Sequence, residues 1–239
     1  MRKIIAVTLV TVMMTLVLTA CPLLSSPDDL PDEFLSALRE ISASLSNHDF
    51  PSAHNTTQGN FTQIVELYDK LSASGQFWIF DGEAMSNNKN ATGLILTDVS
   101  NEYNTIIMWH GTFKNGLPEG GAVMFYSYPE SPKYAYSTST FIAGRANGIT
   151  EQSGFDTTGE HKYTFICNFD NGYANGFAKY TWAGDSYADT WEYEIRNGGL
   201  VMTDRFVWSE ENGGYLLDGD GLIFTSENFE EHYYSFIFE

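Results

Sequence analysis

Carboxylates are the commonest reactive groups in this chain, and one run of them has the look of a cation loop: Asp218-Gly-Asp220-Gly221-Leu-Ile-Phe-Thr-Ser-Glu227. With Gly221 at the sixth position of a calcium loop, Asp218, Asp220 and Glu227 fall at the third, fifth and twelfth. Leu216 then stands where the first carboxylate is needed, and no helix-forming segment precedes it. The run reads as an acidic β-turn, with calcium as the minor alternative and no metal expected. Any two of the 31 Asp and Glu residues could act as a glycosidase acid and base, given a cleft that holds them roughly 5–9.5 Å apart. Exposed rings such as those of Trp182-Ala-Gly-Asp-Ser-Tyr187 could stack on sugar, although in a packed sheet most aromatics fill the core. Histidines 48, 54, 110, 161 and 232 show no metal-ligand spacing. Cys167 would need a base beside it to act as a nucleophile, and His161 is the nearest in sequence. Its apolar setting, Tyr163-Thr-Phe-Ile-Cys-Asn-Phe169, reads instead as core. There is no nucleophile elbow, phosphate loop or dinucleotide fingerprint, so neither an enzyme nor a cofactor is expected.

The composition narrows the partners. Twelve Lys and Arg against 31 Asp and Glu leave a charge of −19, which repels phosphate backbones and anionic lipid headgroups. With 43% hydrophobic and 15% aromatic residues the chain is too apolar for an acidic disordered tail. Two cysteines cannot build a disulfide scaffold or a four-thiolate zinc site. A length of 239 residues fits one domain, or one with a small appendage.

Arg2 and Lys3 precede an apolar run from Ile4 to Leu18, shorter than the ~20 residues a membrane-crossing helix needs. A basic start, a short apolar centre and small residues behind it describe a secretory signal peptide. Its ending, Leu18-Thr19-Ala20-Cys21, resembles the lipobox of bacterial lipoproteins. That resemblance implies cleavage before Cys21, a lipid on its sulfur, and a protein held at a bacterial membrane, facing the periplasm or the exterior. Two or three acyl chains anchor firmly where one does not. Removal of residues 1–20 leaves 10 basic against 31 acidic side chains, a charge of −21, so lipid alone would hold the body. Residues 21–29 then form a brief tether.

A break in composition follows at Gly75. Before it lies only one other glycine, Gly59; after it lie every Trp and every Tyr except Tyr68. Residues 30–74 read as helical. Leu30, Phe34, Leu38, Ile41 and Leu45 form one amphipathic stripe, with Pro31 in the first turn. Phe61, Ile64, Val65, Tyr68 and Leu71 form a second, capped by Asn60 with Gln63 in a capping box and stopped at Gly75. The polar stretch from Asn47 to Gly59 reads as a loop, which leaves two short helices.

Residues 75–239 read as a mainly β region of antiparallel hairpins. Asn-Gly tolerates positive φ at both centres of a type I′ turn, so each such pair predicts a hairpin tip. The pairs are Asn115-Gly116, Asn147-Gly148, Asn171-Gly172, Asn197-Gly198 and Asn212-Gly213, at the uneven separations of 32, 24, 26 and 15 residues. A degenerate first unit begins at Phe80-Asp-Gly-Glu-Ala84, with its turn in Asn87–Asn90 and Gly93 opening the return strand. Gly followed two residues later by Ala or Gly leaves room for a neighbour's aromatic ring. One hairpin cannot bury its face in water, but several in series can.

Two of these units resemble the MORN repeat, whose pattern is aromatic, x, Gly, x, aromatic, x, Asn-Gly, three residues, Gly, x, Gly. Trp109–Phe125 matches at Trp109, Gly111, Phe113, Asn115, Gly116 and Gly120, with Ala122 in place of the last glycine. Phe165–Thr181 matches at Phe165, Phe169, Asn171, Gly172 and Gly176, and departs at Cys167 and Ala178. The resemblance extends from about Phe77 to the C-terminus. It implies an elongated twisted sheet used for protein contact, with no catalytic residues. Lipid-headgroup binding, which some members show, needs basic side chains that are sparse here. The expected function is therefore a lipid-anchored, non-enzymatic interaction module with an unknown protein partner and no nucleic acid. A carbohydrate-binding or glycan-processing lipoprotein is the alternative.

Overall fold

The computed structural model describes residues 30–100, 105–128, 133–156, 160–183, 188–196, 199–200, 206–209, 214–217 and 223–225. It opens with three helices rather than two: α1 (Asp32–Ser46), α2 (Phe50–Gly59) and α3 (Phe61–Ala73). In α1 the expected stripe is the buried one, and Pro31 sits one position earlier than expected, at the N-cap. The stretch expected to be a loop is α2. Asp49 caps it by accepting from the Ser52 N–H at 3.3 Å, and Pro51 lies in its first turn. Its buried face is Phe50, Ala53, His54 and Thr57, a helical spacing that includes two polar side chains. Thr57 is satisfied within the helix, its Oγ1 donating to the Ala53 carbonyl at 2.7 Å, while His54 Nδ1 bonds Ser127 Oγ of β5 at 2.9 Å, 73 residues away. Asn60 makes no side-chain cap on α3; its amide donates back to Thr56 O at 2.9 Å. Gly75, at φ +62°, ends the helical part as expected.

The strands are β1 (Ile79–Phe80), β2 (Met85–Ser86), β3 (Thr92–Ser100), β4 (Thr105–Lys114), β5 (Leu117–Tyr128), β6 (Lys133–Ile142), β7 (Arg145–Asp156), β8 (His161–Asp170), β9 (Tyr173–Ala183), β10 (Ala188–Arg196) and β11 (Gly199–Leu200). They form one antiparallel sheet in the order β11-β10-β9-β8-β7-β6-β5-β4-β3-β1-β2. A second, three-stranded sheet joins β12 (Phe206–Ser209), β13 (Gly214–Leu217) and β14 (Ile223–Thr225). The first hairpin turns within Asp81–Ala84, not Asn87–Asn90, because Phe80 pairs with both Met85 and Leu94.

The hairpin units are more regular than the Asn-Gly positions suggest. The tips fall at Asn115-Gly116, Ala143-Gly144 and Asn171-Gly172, each 28 residues from the last, and both residues of each tip have positive φ. Asn147-Gly148 is not a tip. It lies inside β7, where Asn147 pairs with Thr140. Ala143 takes the left-handed conformation because the strand register demands a two-residue turn there, and Gly144 supplies the second positive φ. Each return strand carries a bulge: it runs from Pro118 to Ala122 where its partner runs only from Phe113 to Gly111, and the same holds at Asn147–Glu151 and Ala174–Ala178. Gly120, Gly148 and Gly176 sit in these bulges with φ of +78°, +87° and +110°. A Cβ on any of them would meet nothing within 4 Å, so the glycine serves backbone conformation and not room for a ring.

Successive tips are tied together, which accounts for Asn147. Its side chain accepts from the N–H of Asn171, one unit on, at 3.3 Å. Asn90 and Glu119 hold the Asn115 and Ala143 N–H groups in the same way, at 3.0 and 2.8 Å. Backbone bonds run alongside, from Gly116 to Lys89, Gly144 to Pro118 and Gly172 to Ala146.

Two hydrophobic clusters result from the strand alternation. On the cap side, Leu94, Ile106, Met108, Val123 and Phe125 pack under Leu38, Ile41, Leu45, Ile64 and Leu67 of the helices. On the opposite face, Trp109, Phe113, Phe141, Phe165 and Phe169 alternate with Ala122, Ala146, Ala174 and Ala178. The small side chains let the rings lean across them: Trp109 meets Phe141 edge-on at 5.3 Å, two strands away.

Candidate functional site

The helices pack against β3, β4, β5 and β6. Beyond them the cap-side face continues onto β7, β8, β9 and β10, and its residues can be followed along cross-strand rungs. One rung reads Met108, Phe125, Tyr136, Ser153, Thr164, Thr181, Thr190. It is apolar or aromatic under the cap and entirely hydroxylic beyond it. The hydroxyls bond across strands, Ser153 to Thr164 at 2.8 Å and Thr181 to Thr190 at 3.4 Å. The next rung reads His110, Val123, Thr138, Glu151, Ile166, Lys179, Glu192. The face opens gradually: Ser153 is buried, Thr164 and Thr181 are half-buried, and Thr190 is exposed.

Against that polar background four large apolar side chains stand out. Ile149 is 71% exposed, Phe177 62%, Ile142 58% and Ile166 37%, and all lie on this face. Ile149 pairs with Asn168, beside Ile166 and across from Phe177, so these three are diagonal neighbours. Ile149 and Phe177 also occupy one position of the 28-residue unit, directly after the bulge glycine. Gly121 holds that position in the unit of Asn115-Gly116, on the wall of the cavity that Ile149 also lines.

The charges around the patch are mixed. Lys179 lies 4.0 Å from Glu192, and Arg196 2.8 Å from Glu194, all four exposed. Exposed pairs of this kind are worth no more than about 1 kcal/mol and yield readily to a partner. Glu151 accepts from the Tyr136 hydroxyl at 3.3 Å.

Where cap and open face meet, two cavities of about 450 and 470 Å³ adjoin, sharing His48 and Thr138. The first takes Thr92, His110, Thr112, Thr138 and Thr140 from the strands, with Leu45 of α1 and Ile149 of the apolar patch also on its wall. The second is lined by Phe50, Tyr134, Tyr136 and Phe155 with Glu151. No Lys or Arg lines either. Burial holds the His110 imidazole below its ordinary pKa, so it stands neutral at pH 7. His48 shapes the rim, holding the turn between α1 and α2 at φ +57°.

Cys167 is core. It is buried in the opposite-face cluster, its Sγ donates to the Asn168 carbonyl at 3.2 Å, and burial raises its pKa to about 11. His161 bonds Thr164 at 2.6 Å and stacks edge-on against Phe155, so it is not the activating base for that thiol. Among the described residues no three His, Cys, Asp or Glu side chains converge as a metal site, and no helix is long and apolar enough to cross a membrane. Cys21, Asn197, Gly198, Asn212, Gly213, Asp218, Asp220 and Glu227 lie outside the described residues, as do residues 184–187 of the sugar-stacking candidate. Of the sequence candidates, Asn115-Gly116 and Asn171-Gly172 are brought into one line of tips, with Ala143-Gly144 between them. Sequence reasoning missed the exposed apolar patch. The signal that could have found it is the 28-residue spacing of Ile149 and Phe177, which emerges only once the middle tip is placed at Ala143. No protein-family model, no curated protein and no solved structure matches the chain.

Proposed function

We propose that this chain is a lipid-anchored, non-enzymatic protein of a bacterial cell envelope, whose MORN-like sheet presents its open cap-side face to a protein partner. The observation that carries the reading is the patch of Ile142, Ile149, Ile166 and Phe177 on a face otherwise built of hydroxyls and charges. Contiguous apolar side chains rimmed by polar ones mark surfaces that are covered in use. The anchor part rests on Leu18-Thr19-Ala20-Cys21. The acidic body suits a protein standing off the membrane on its lipid.

Affinity capture of the full chain from its own membranes tests the reading. A partner should be retained by the native chain and lost from Ile149→Ser/Phe177→Ser; the same proteins retained by both would overturn it. For the anchor, Cys21→Ala should abolish incorporation of labelled palmitate, and undiminished labelling would refute it.

Carbohydrate binding is the second reading, favoured by the threonine-lined cavity at the cap edge, which has polar groups for a neutral sugar and no cation for an anionic one. A glycan array with no bound sugar removes it.

A further inference from the structure

The open face has a pitch as well as a chemistry. Ile149 and Phe177 are equivalent positions in adjacent hairpin units and lie two strands apart, roughly 9.5 Å at the usual strand spacing. An α-helix lying across the strands presents residues i and i+7 about 10.5 Å apart on one side. The apolar ladder thus has the repeat of a helix that crosses the sheet, with Ile166 between the two rungs to meet an i+3 or i+4 side chain. The molecule already covers part of this face with helices: among the described residues α1, α2 and α3 pack on β3 to β6, with Phe155 of β7 at the margin of their cluster.

Charge selects among helices. Glu151, Asp170, Glu192 and Glu194 stand on or beside the patch against Lys179, Arg196 and, at the tip edge, Arg145. The whole chain carries −19, so the long-range field favours a cationic partner and opposes a second copy. We infer that the open face of β7 to β10 docks one amphipathic, Lys- or Arg-rich helix of a partner protein. The helix continues the layer begun by the cap, with apolar side chains on Ile149, Ile166 and Phe177 and basic ones on Glu151, Glu192 and Glu194. This inference rests on the protein-partner reading above and specifies it.

The test places a short-reach diazirine amino acid at position 149 or 177 of the full chain, and at Glu33 on the exposed side of α1 as a control, in the native envelope. Cross-linked peptides are then sequenced. Adducts from 149 and 177 should fall in one basic segment of another protein, about seven residues apart. Glu192→Lys/Glu194→Lys should lower their yield at least threefold, and Ile166→Ser at least threefold. Adducts about three residues apart would mean an added strand and overturn the helix while leaving the partner reading intact. A partner captured only from position 33 would overturn both the site and the open-face reading, and move the contact to the helices. Adducts to this chain alone, or to glycan, or none from any position, would overturn both.

Discussion

Strands β3 to β6 lie under three helices on one face, and strands β7 to β10 carry the same face into the open. The two halves share their hairpin unit, their bulge glycine and their tip-to-tip bonds. They also share the opposite face, where Trp109 and Phe113 in one half and Phe165 and Phe169 in the other are all buried in a single cluster. What differs is the cap-side rung, apolar at Met108 and Phe125 and hydroxylic at Ser153, Thr164 and Thr181. The sheet is therefore held by its opposite face throughout, while the cap-side face is free to serve either packing or contact. Ile149 and Phe177 belong to contact.

If that comparison is right, truncating an opposite-face ring should cost the open half as much as a cap-side ring costs the covered half. Phe165→Ala and Phe125→Ala should each lose about 3–5 kcal/mol in urea unfolding; a loss under about 1 kcal/mol for Phe165→Ala would show that the open half needs no such core. The bulge should matter equally in both halves. Gly148→Val and Gly120→Val place a β-branched residue at positive φ and should cost about 1–2 kcal/mol each, whereas Gly121→Ala, with no neighbour within 4 Å and no positive φ, should be near neutral. Equal effects at 120 and 121 would remove the conformational argument.

Cys167 reports whether the open half is as dry inside as the covered one. Its thiol pKa rises from 9.0 to about 11 on folding, so between those values the unfolded chain gives up its proton first and stability falls as pH rises. The slope contributed is at most about 1.4 kcal/mol per pH unit and should vanish in Cys167→Ala. Below pH 8 the native thiol should resist a disulfide reagent until the protein unfolds. The ties between tips are weaker. Asn147→Ala and Glu119→Ala each remove one acceptor at an exposed site and should cost about 0.5–1.5 kcal/mol, nearer the lower figure. The smallest effect sharpens the comparison most: Ile149→Ser and Phe177→Ser should stay within about ±0.5 kcal/mol, since those side chains are exposed in the free protein. A loss of 2 kcal/mol would mean that they support the fold and are not held out for a partner.

The hairpin tips at Asn115-Gly116 and Asn171-Gly172 were legible because a dipeptide that tolerates positive φ twice carries its turn within itself. The stripe of α1 was legible for a similar reason: four apolar side chains at helical spacing need only each other to be recognised. The same rule failed for α2, whose buried face includes His54 and Thr57, polar groups that become core only when Ser127 and a backbone carbonyl receive them. It failed again at Asn147-Gly148. There the dipeptide was able to turn, but the strand register placed the tip at Ala143-Gly144 and used Asn147 to hold the next one.

Local φ preference and hydrophobic period thus determined, from sequence alone, that the chain pairs helices with a run of hairpins. Which Asn-Gly turns, where the 28-residue unit begins, and which apolar residues are left outside the core were decided by tertiary structure. Each of those depends on hydrogen bonds and burial between residues 24 or more positions apart, and a strand register one residue out would turn the same side chains to the other face.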